Sequence, residues 1–592
     1  MEKDILDKAT YWSQGPVFDE GTRREVASLL DRGDEGELAE RFYRDLEFGT
    51  GGMRGIVGAG TSRMNVYNVR KATTALAQYL LDSYDKNEEL RVAVSFDSRH
   101  YSEEFAMEAA AVLAAHGIRA LVTGELRPVP VLSFMVRHFS CHAGICVTAS
   151  HNPPEYNGYK VYWKDGAQLI PPHDQAIIDR YRAIRSYDEI PRLTAEQGQE
   201  QDLIRRIGEE LDQAYLGRVA SLCIHPCEDP DFKVVYSPIH GSGLFPVVEG
   251  LKRFGFRNTL VVEQQRHPDG DFPTVRSPNP EDPAALKMAV ELAEKEGAQM
   301  VLATDPDCDR IGMVVREGGD WLWLNGNQIG SLLIEYVLRS PKESGRLPES
   351  PLVIKTIVTT ELQRDIAAHW GADCEDTLTG FKWIGGLIEE YETGQRQPYK
   401  EYICGGEESY GFLADHFVRD KDGVIGCCIA AEMVAWYRSR GESMGDVLRQ
   451  LFRRHGVYEE TLHTLTLPGK EGAEKIEVMM RRLRSAPPTL IDGVAVQLLR
   501  DLQNGQEYEN QNGAFQPRAE IPLPSSNVLQ FILVDGTKVS ARPSGTEPKI
   551  KFYVSVREEV DAGISGEQLE AVQARCKERA RRIEETFVAM SR

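Results

Sequence analysis

The sequence predicts an α/β protein: three similar α/β units in tandem, each with a mixed sheet, followed by a smaller α+β unit. Three observations predict this. Short apolar runs alternate with helical patterns, as in a sheet covered by helices. The alternation restarts twice, near residues 233 and 353, without repetition of the residues themselves. Near the C-terminus the pattern changes to hairpin-linked strands closed by one long amphipathic helix.

In chain order, the first forty residues read as helices, ahead of a glycine-rich loop at 49–60. Residues 92–96 form a strand. A helix follows at 103–116, with Phe105, Val112 and Leu113 apolar and Gly117 as its stop signal. Strands follow at 120–122 and 144–147. The second unit has strands at 233–236, 259–262 and 300–303, with a helix at 284–296; the third has strands at 353–358, 375–378 and 402–404. These strands are short and apolar, as buried strands are. In the last unit, 528–534 leads into an Asp535-Gly536 turn, strands follow at 539–542 and 551–556, and a helix at 567–587 packs on the sheet.

At roughly 100–200 residues per domain, 592 residues make three to five domains. The net charge of −22, from 69 basic and 91 acidic side chains, argues against a nucleic-acid partner. An anionic substrate would need basic clusters set into that repulsive background. The polar N-terminus lacks the apolar stretch of a secretory signal, and no run is long and apolar enough for a membrane span. Ten scattered cysteines without C-x-x-C spacing read as reduced, mostly buried thiols in a reducing compartment.

Four loops carry candidate chemistry. Thr148-Ala149-Ser150-His151-Asn152-Pro153-Pro154 follows a strand, and its prolines should hold Ser150 on a rigid, exposed turn as a nucleophile or phosphate carrier. It is not the hydrolase G-x-S-x-G elbow, because Thr148 and Asn152 replace the glycines. Asp305-Pro306-Asp307-Cys308-Asp309-Arg310 offers three carboxylates that, in extended backbone, would converge on a hard cation such as Mg²⁺. An EF-hand is excluded by Arg310 at its sixth position and Arg316 at its twelfth. The segment 405–411, with Glu407, Glu408 and Ser409 between glycines, suits sugar hydroxyls. Arg542-Pro543-Ser544-Gly545-Thr546 resembles a phosphate cradle but is not a P-loop. Two supporting loops place Arg54 among glycines, without a G-x-G-x-x-G nicotinamide motif, and Lys382 after a strand. Taken singly, Arg54, Lys160 and Lys382 read as surface cations. Together, a serine, a metal site, a hydroxyl-binding loop and a separate phosphate cradle point to phosphoryl transfer on a substrate with a phosphate at its far end.

The strings TASHNPPEYNGYKVY, TLTGFKWIGG, GGEESYGF and RPSGTEPKIKFY, in this order over nearly the whole chain, resemble the α-D-phosphohexomutase superfamily, nearest its bacterial α-phosphoglucomutase branch. The resemblance implies four domains around one central cleft: 1–210 with the phosphoserine and a helical N-terminal extension, 211–325 with the metal site, 326–452 with the sugar loop and 453–592 with the phosphate loop. It implies phospho-Ser150, one Mg²⁺ held by Ser150, Asp305, Asp307 and Asp309, and catalytic roles for Arg54, Lys160 and His151. It assigns substrate binding to Arg310, Thr379, Gly380, Lys382, Glu407, Ser409, Arg542, Ser544, Gly545 and Thr546. Cys308 stands where relatives carry alanine, between ligands and pointing away from them.

The implied activity is an isomerase's: interconversion of glucose 1-phosphate and glucose 6-phosphate in the cytoplasm, with glucose 1,6-bisphosphate as activator and as an intermediate that turns over between half-reactions. The implied partners are sugar phosphates, not nucleic acid or membrane, and monomer and dimer both stay open. A phosphomannomutase or phosphopentomutase is the alternative within the superfamily; a phosphatase and a non-catalytic scaffold are the alternatives outside mutase chemistry.

Overall fold

A computed structural model describes residues 3–48, 52–467, 469–544 and 549–591. The first sheet has six strands: β1 (Gly52–Ile56), β2 (Arg91–Phe96), β3 (Arg119–Thr123), β4 (Ala143–Val147), β5 (Tyr156–Trp163) and β6 (Ile204–Ile207), in the order β1-β5-β4-β2-β3-β6. The second has β7 (Lys233–Ser237), β8 (Asn258–Val261), β9 (Met300–Thr304), β10 (Ile311–Glu317) and β11 (Asp320–Trp323), in the order β11-β10-β9-β7-β8. The third orders β12 (Pro351–Thr356), β13 (Asp373–Thr377), β14 (Glu401–Glu407) and β15 (Gly411–Ala414) as β13-β12-β14-β15.

The recurrence expected from sequence is one of topology. In each sheet the first core strand (β2, β7 or β12) lies inside, the next (β3, β8 or β13) flanks it on one side, and the third (β4, β9 or β14) on the other. β2 pairs in parallel with both β3 and β4, and β7 with both β8 and β9. The strand after the third then lies beside it, antiparallel in β4–β5 and β9–β10. Strand order therefore reverses beside the third strand, which is where open α/β sheets hold ligands.

Two compact units divide the chain. One comprises Met1–Gly326, Phe381–Cys404 and Ser409–Trp436; the other comprises Asn327–Gly380, Gly405–Glu408 and Tyr437–Arg592. The first unit opens with helices Lys3–Gln14, Glu20–Arg32 and Glu35–Phe42, whose Trp12, Phe18 and Phe42 bury against Tyr67. The second unit ends in an antiparallel sheet: β16 (Val457–Thr466), β17 (Leu490–Ile491), β18 (Val494–Asp501), β19 (Gln506–Gln511), β20 (Ala514–Glu520), β21 (Leu529–Leu533), β22 (Lys538–Pro543) and β23 (Lys549–Glu558). Helix Gly566–Ser591 closes it, with Phe587 against Phe531 and Phe552.

The structure departs from the sequence reading at three places. Residues 52–56, read as loop, form edge strand β1, paired antiparallel with β5, which the sequence reading left unassigned. Glycine permits the close approach: a Cβ on Gly158 would lie 2.9 Å from the Met53 carbonyl oxygen of β1. Strands β6, β10, β11 and β15 were also unassigned. The last sheet is larger than its three expected strands: β16 to β20 were unassigned, and of these β19 and β20 are polar and largely unburied, and so lack the apolar alternation that marks strands. Their two-residue Asn512-Gly513 connection, with both residues at positive φ, was the readable signal.

All ten cysteines are free thiols, seven of them buried. Among the described residues no helix is long and apolar enough to cross a membrane.

Candidate active site

Strand β4 is wholly buried and delivers Thr148 and Ser150 at its C-terminal end. Ser150 adopts the left-handed backbone conformation, φ 51°, uncommon outside glycine and asparagine. Its N–H donates to Thr148 Oγ1 at 2.9 Å, and Thr148 Oγ1 donates to Asp307 Oδ2 at 3.2 Å. Ser150 Oγ donates to Asp305 Oδ2 at 2.7 Å and lies 3.2 Å from His151 Nδ1. The turn is not exposed as the sequence suggested: Ser150 is only 4% accessible, because its backbone turns the hydroxyl inward onto the aspartate loop.

That loop begins where β9 ends. Asp305, Asp307 and Asp309 are buried, with one oxygen from each lying within 4.8 Å of the others. Convergence does not come from extended alternation. The Cys308 N–H donates back to the Asp305 carbonyl at 2.9 Å, and Cys308 itself has φ 52°, so the segment is a tight turn. Asp305 Oδ1 accepts the N–H groups of Asp309 and Arg310, each at 3.1 Å, which fixes the turn from inside. Cys308 packs into the domain: a Cβ on Gly243 would stand 3.0 Å from its Sγ and 2.7 Å from Thr304 Oγ1.

Three clustered carboxylates need compensating cations. Lys160 on β5 donates to Asp307 Oδ2 at 2.7 Å and stands 3.6 Å from Asp309 Oδ2. It is 8% accessible, so the singly read surface cation is in fact buried. Lys421 reaches Asp309 Oδ2 at 3.1 Å and its own neighbour Asp420 at 3.1 Å. Arg310 pairs with Glu281. Arg54, exposed on β1, donates to Asn152 Oδ1 at 3.0 Å.

The electrostatics follow from burial and pairing. Burial, reinforced by the Asp307 and Asp309 charges, raises Asp305 well above the usual carboxylate range. Burial also opposes the charge on Asp307, yet adjacent Lys160 holds that carboxyl below its usual range. Lys160 is likewise raised, because Asp307 and Asp309 outweigh the cost of burying its charge. His151 is held neutral, first by burial and then by Arg310 and Arg54. Asp307 Oδ1 and Asp309 Oδ1 are buried and accept no hydrogen bond among the described residues. Oxygens left unsatisfied in a cage of hard ligands suit a divalent metal ion.

In the second unit, the Gly380 N–H donates to Glu407 Oε1 at 2.9 Å, orienting that buried carboxylate. Glu408 turns instead to the Thr356 and Thr359 hydroxyls, at 3.2 and 3.3 Å. Thr379 precedes Gly380 at the end of the β13 loop. Arg542 lies on β22, and the Ser544 N–H donates to the Lys549 carbonyl at 2.8 Å; Gly545 and Thr546 lie outside the described residues. Lys382 and Ser409 belong to the first unit. Lys382 Nζ sits 4.9 Å from the Trp383 ring centroid, and burial lowers its pKa.

The sequence reading therefore collected Ser150, His151, Lys160, Arg54 and the three aspartates, which the first unit brings together. It missed Lys421 and Thr148. Lys421 stands in Asp420-Lys421-Asp422-Gly423, whose alternating charges carry no local sign of a partner elsewhere in the chain.

The fold and this cage define an isomerase of the phosphohexomutase type, and comparison with known proteins agrees. The phosphoglucomutase/phosphomannomutase alpha/beta/alpha domain families match in order: domain I over residues 45–188, domain II over 213–319 and domain III over 325–455. The chain is 36% identical to a phosphoglucomutase of Staphylococcus epidermidis over 524 residues, 88% of this chain and 92% of that one. It is 36% identical to one of Staphylococcus aureus, over 90% of this chain and 93% of that one. Among solved structures it resembles a phosphoglucomutase/phosphomannomutase family protein from Burkholderia thailandensis (TM-score 0.61, 20% identity, 90% of this chain and 96% of that one). It also resembles parafusin, a phosphoglucomutase from Paramecium, in its open form (TM-score 0.62, 17% identity, 92% and 96%). The chain belongs to the phosphoglucomutase/phosphomannomutase family.

Proposed function

We propose that this chain interconverts α-D-glucose 1-phosphate and glucose 6-phosphate through a phosphoserine at Ser150, with glucose 1,6-bisphosphate as the bound intermediate and Mg²⁺ as the metal. The observation that carries the reading is Ser150 Oγ, 2.7 Å from Asp305 inside a cage of three buried carboxylates. The phosphoglucomutase relatives at 36% identity support the sugar assignment.

Asp305, Asp307 and Asp309 would hold the metal, which when bound supplies positive charge to offset the negative charge on the transferring phosphoryl oxygens. Phospho-Ser150 gives its phosphoryl group to the free hydroxyl of the sugar phosphate, and the Ser150 oxygen regains a proton. After the bisphosphate reverses, Ser150 takes back the other phosphoryl group and loses that proton. His151 Nδ1, 3.2 Å from Oγ, lies within reach of the proton in both directions. Lys160, charged against Asp307, serves as counter-charge and contributes to the acid–base work by hydrogen-bonding to the oxygen that gains or loses the proton. Arg54 holds the transferring group. Glu407, oriented by Gly380, accepts from sugar hydroxyls together with Ser409. Thr379, Lys382 and Arg310 add substrate contacts, and Arg542, Ser544, Gly545 and Thr546 hold the phosphate that is not reacting. We place the reaction in the cytoplasm.

The test is a coupled assay of purified protein with Mg²⁺, a trace of glucose 1,6-bisphosphate, and glucose, mannose or ribose 1-phosphate in turn. Glucose 1-phosphate should turn over fastest, and intact mass should show one phosphoryl group carried. Ser150→Ala should carry none and be inactive. Full mutase activity in that variant ends the scheme, and faster turnover of mannose or ribose 1-phosphate reassigns the substrate.

A further inference from the structure

Beside the serine loop lies a buried ion pair that the scheme above does not use. Asp97-Ser98-Arg99 follows β2, next to β4 in the sheet. The side chains of Asp97 and Arg99 are both completely buried, with Arg99 Nε 3.4 Å from Asp97 Oδ2. Asp97 Oδ1 accepts the Arg99 backbone N–H at 2.9 Å and the Ser102 hydroxyl at 2.7 Å, so the carboxylate is held from three sides.

The Arg99 guanidinium spends its terminal donors on one loop. Nη2 donates to the Ser150 and Asn152 carbonyls; Nη1 donates to those of Pro153 at 2.8 Å and Tyr156 at 3.0 Å. Four carbonyls within seven residues are gathered by one planar fork, a geometry that lysine's point charge cannot reproduce. The opposite face of the guanidinium lies 5.0 Å from the ring centroid of Phe272, from the second domain. Neighbouring His100 Nε2 meets Asp271 Oδ1 at 2.7 Å. Arg99 is thus wedged between the serine loop and the domain that supplies the aspartates.

We infer that Arg99, oriented by Asp97, is a positioning residue for phosphoryl transfer: by gripping the carbonyls of residues 150, 152, 153 and 156 it holds Ser150 in its left-handed conformation, with Oγ aimed at the aspartate cage. The inference rests on the phosphoserine reading above. Arg99 donates to backbone behind the serine, so its loss acts on the placement of Oγ and leaves sugar binding alone. A displacement of about 1 Å in a reacting group is enough to cost about 10²-fold in rate.

The test uses full-length Arg99→Lys, which keeps the charge and removes the fork, and Asp97→Asn, which keeps the shape and removes the partner charge. Three readouts are taken on each variant and the parent: kcat and KM for glucose 1-phosphate, the rate at which glucose 1,6-bisphosphate phosphorylates Ser150 by intact mass, and thermal melting. Arg99→Lys should lose about 10²-fold in kcat and in Ser150 phosphorylation rate, with KM within about threefold. If that variant does not fold, Asp97→Asn decides by the same readouts. A folded variant with kcat within about threefold of the parent overturns the inference. So does a raised KM at unchanged kcat, or activity fully recovered on cooling below the melting transition. A parent protein that takes no phosphoryl group on Ser150 overturns the phosphoserine reading, and this inference with it.

Discussion

Lys160 Nζ lies 2.7 Å from Asp307 Oδ2, joining β5 of the first sheet to the loop that ends β9 of the second. Lys160, together with Lys421 on Asp309, therefore compensates the aspartate cage before any metal arrives. Lys160→Met leaves those carboxylates buried with less compensation, and stranding a buried charge costs about 3–5 kcal/mol. Metal-free protein should melt lower than the parent, while Mg²⁺ should raise its melting temperature by more than it raises the parent's. The kcat should fall by at least about 10²-fold, the usual contribution of a lost acid–base group. Thermal melts with EDTA and with excess Mg²⁺ check this; an equal Mg²⁺ shift in both proteins would show that Lys160 does not compensate the cage.

Gly52 sits at φ 126° in edge strand β1, where a Cβ would stand 1.9 Å from the Tyr159 carbonyl oxygen. Backbone cannot yield there as a flexible side chain would, so Gly52→Ala should push β1 away from β5 and carry Arg54 off Asn152. The expected result is a loss of about 1–3 kcal/mol of stability and at least a tenfold fall in kcat, about the cost of misplacing a catalytic group. Urea unfolding and steady-state kinetics measure both; parent-like kcat would show that the pairing of β1 with β5 does not place Arg54.

His455 titrates in a pH window away from the cage. Burial first, and then Arg454, lower it from an ordinary 6.5 to about 4, and His369 is lowered by the same two causes. Between pH 6.5 and 4 the unfolded chain binds a proton that folded His455 refuses, so stability is complete above 6.5 and falls as pH drops through that window. His455→Gln should flatten the dependence. Melting temperatures at pH 7.5 and 5 decide it, and identical pH slopes in the two proteins would exclude the assignment.

The regular elements of the three α/β domains were largely legible because burial on both faces leaves short apolar runs, and helices leave a 3.6-residue period. Strands that are half-exposed, such as β19 and β20, or glycine-lined, such as β1, leave neither trace. The loops were legible where chemistry is concentrated in a few adjacent residues, as in Asp305 to Asp309. Residues that act from elsewhere were not. Lys421 and Arg99 have ordinary neighbours in the chain, and only pairing at 3.1 Å with Asp309, or with four loop carbonyls, sets them apart.

The sequence by itself determined the fold class, the order of the loops and which serine and aspartates are candidates for the site, because these depend on local pattern and on side-chain chemistry. Only the tertiary structure decided that Ser150 is buried, that its hydroxyl meets Asp305, and that Lys160 neutralises Asp307. Those facts depend on distances between residues 147 to 155 positions apart in the chain, set by strand order and by two positive-φ turns. Pairing across such separations follows from how whole sheets pack, and no stretch of sequence around either partner encodes it.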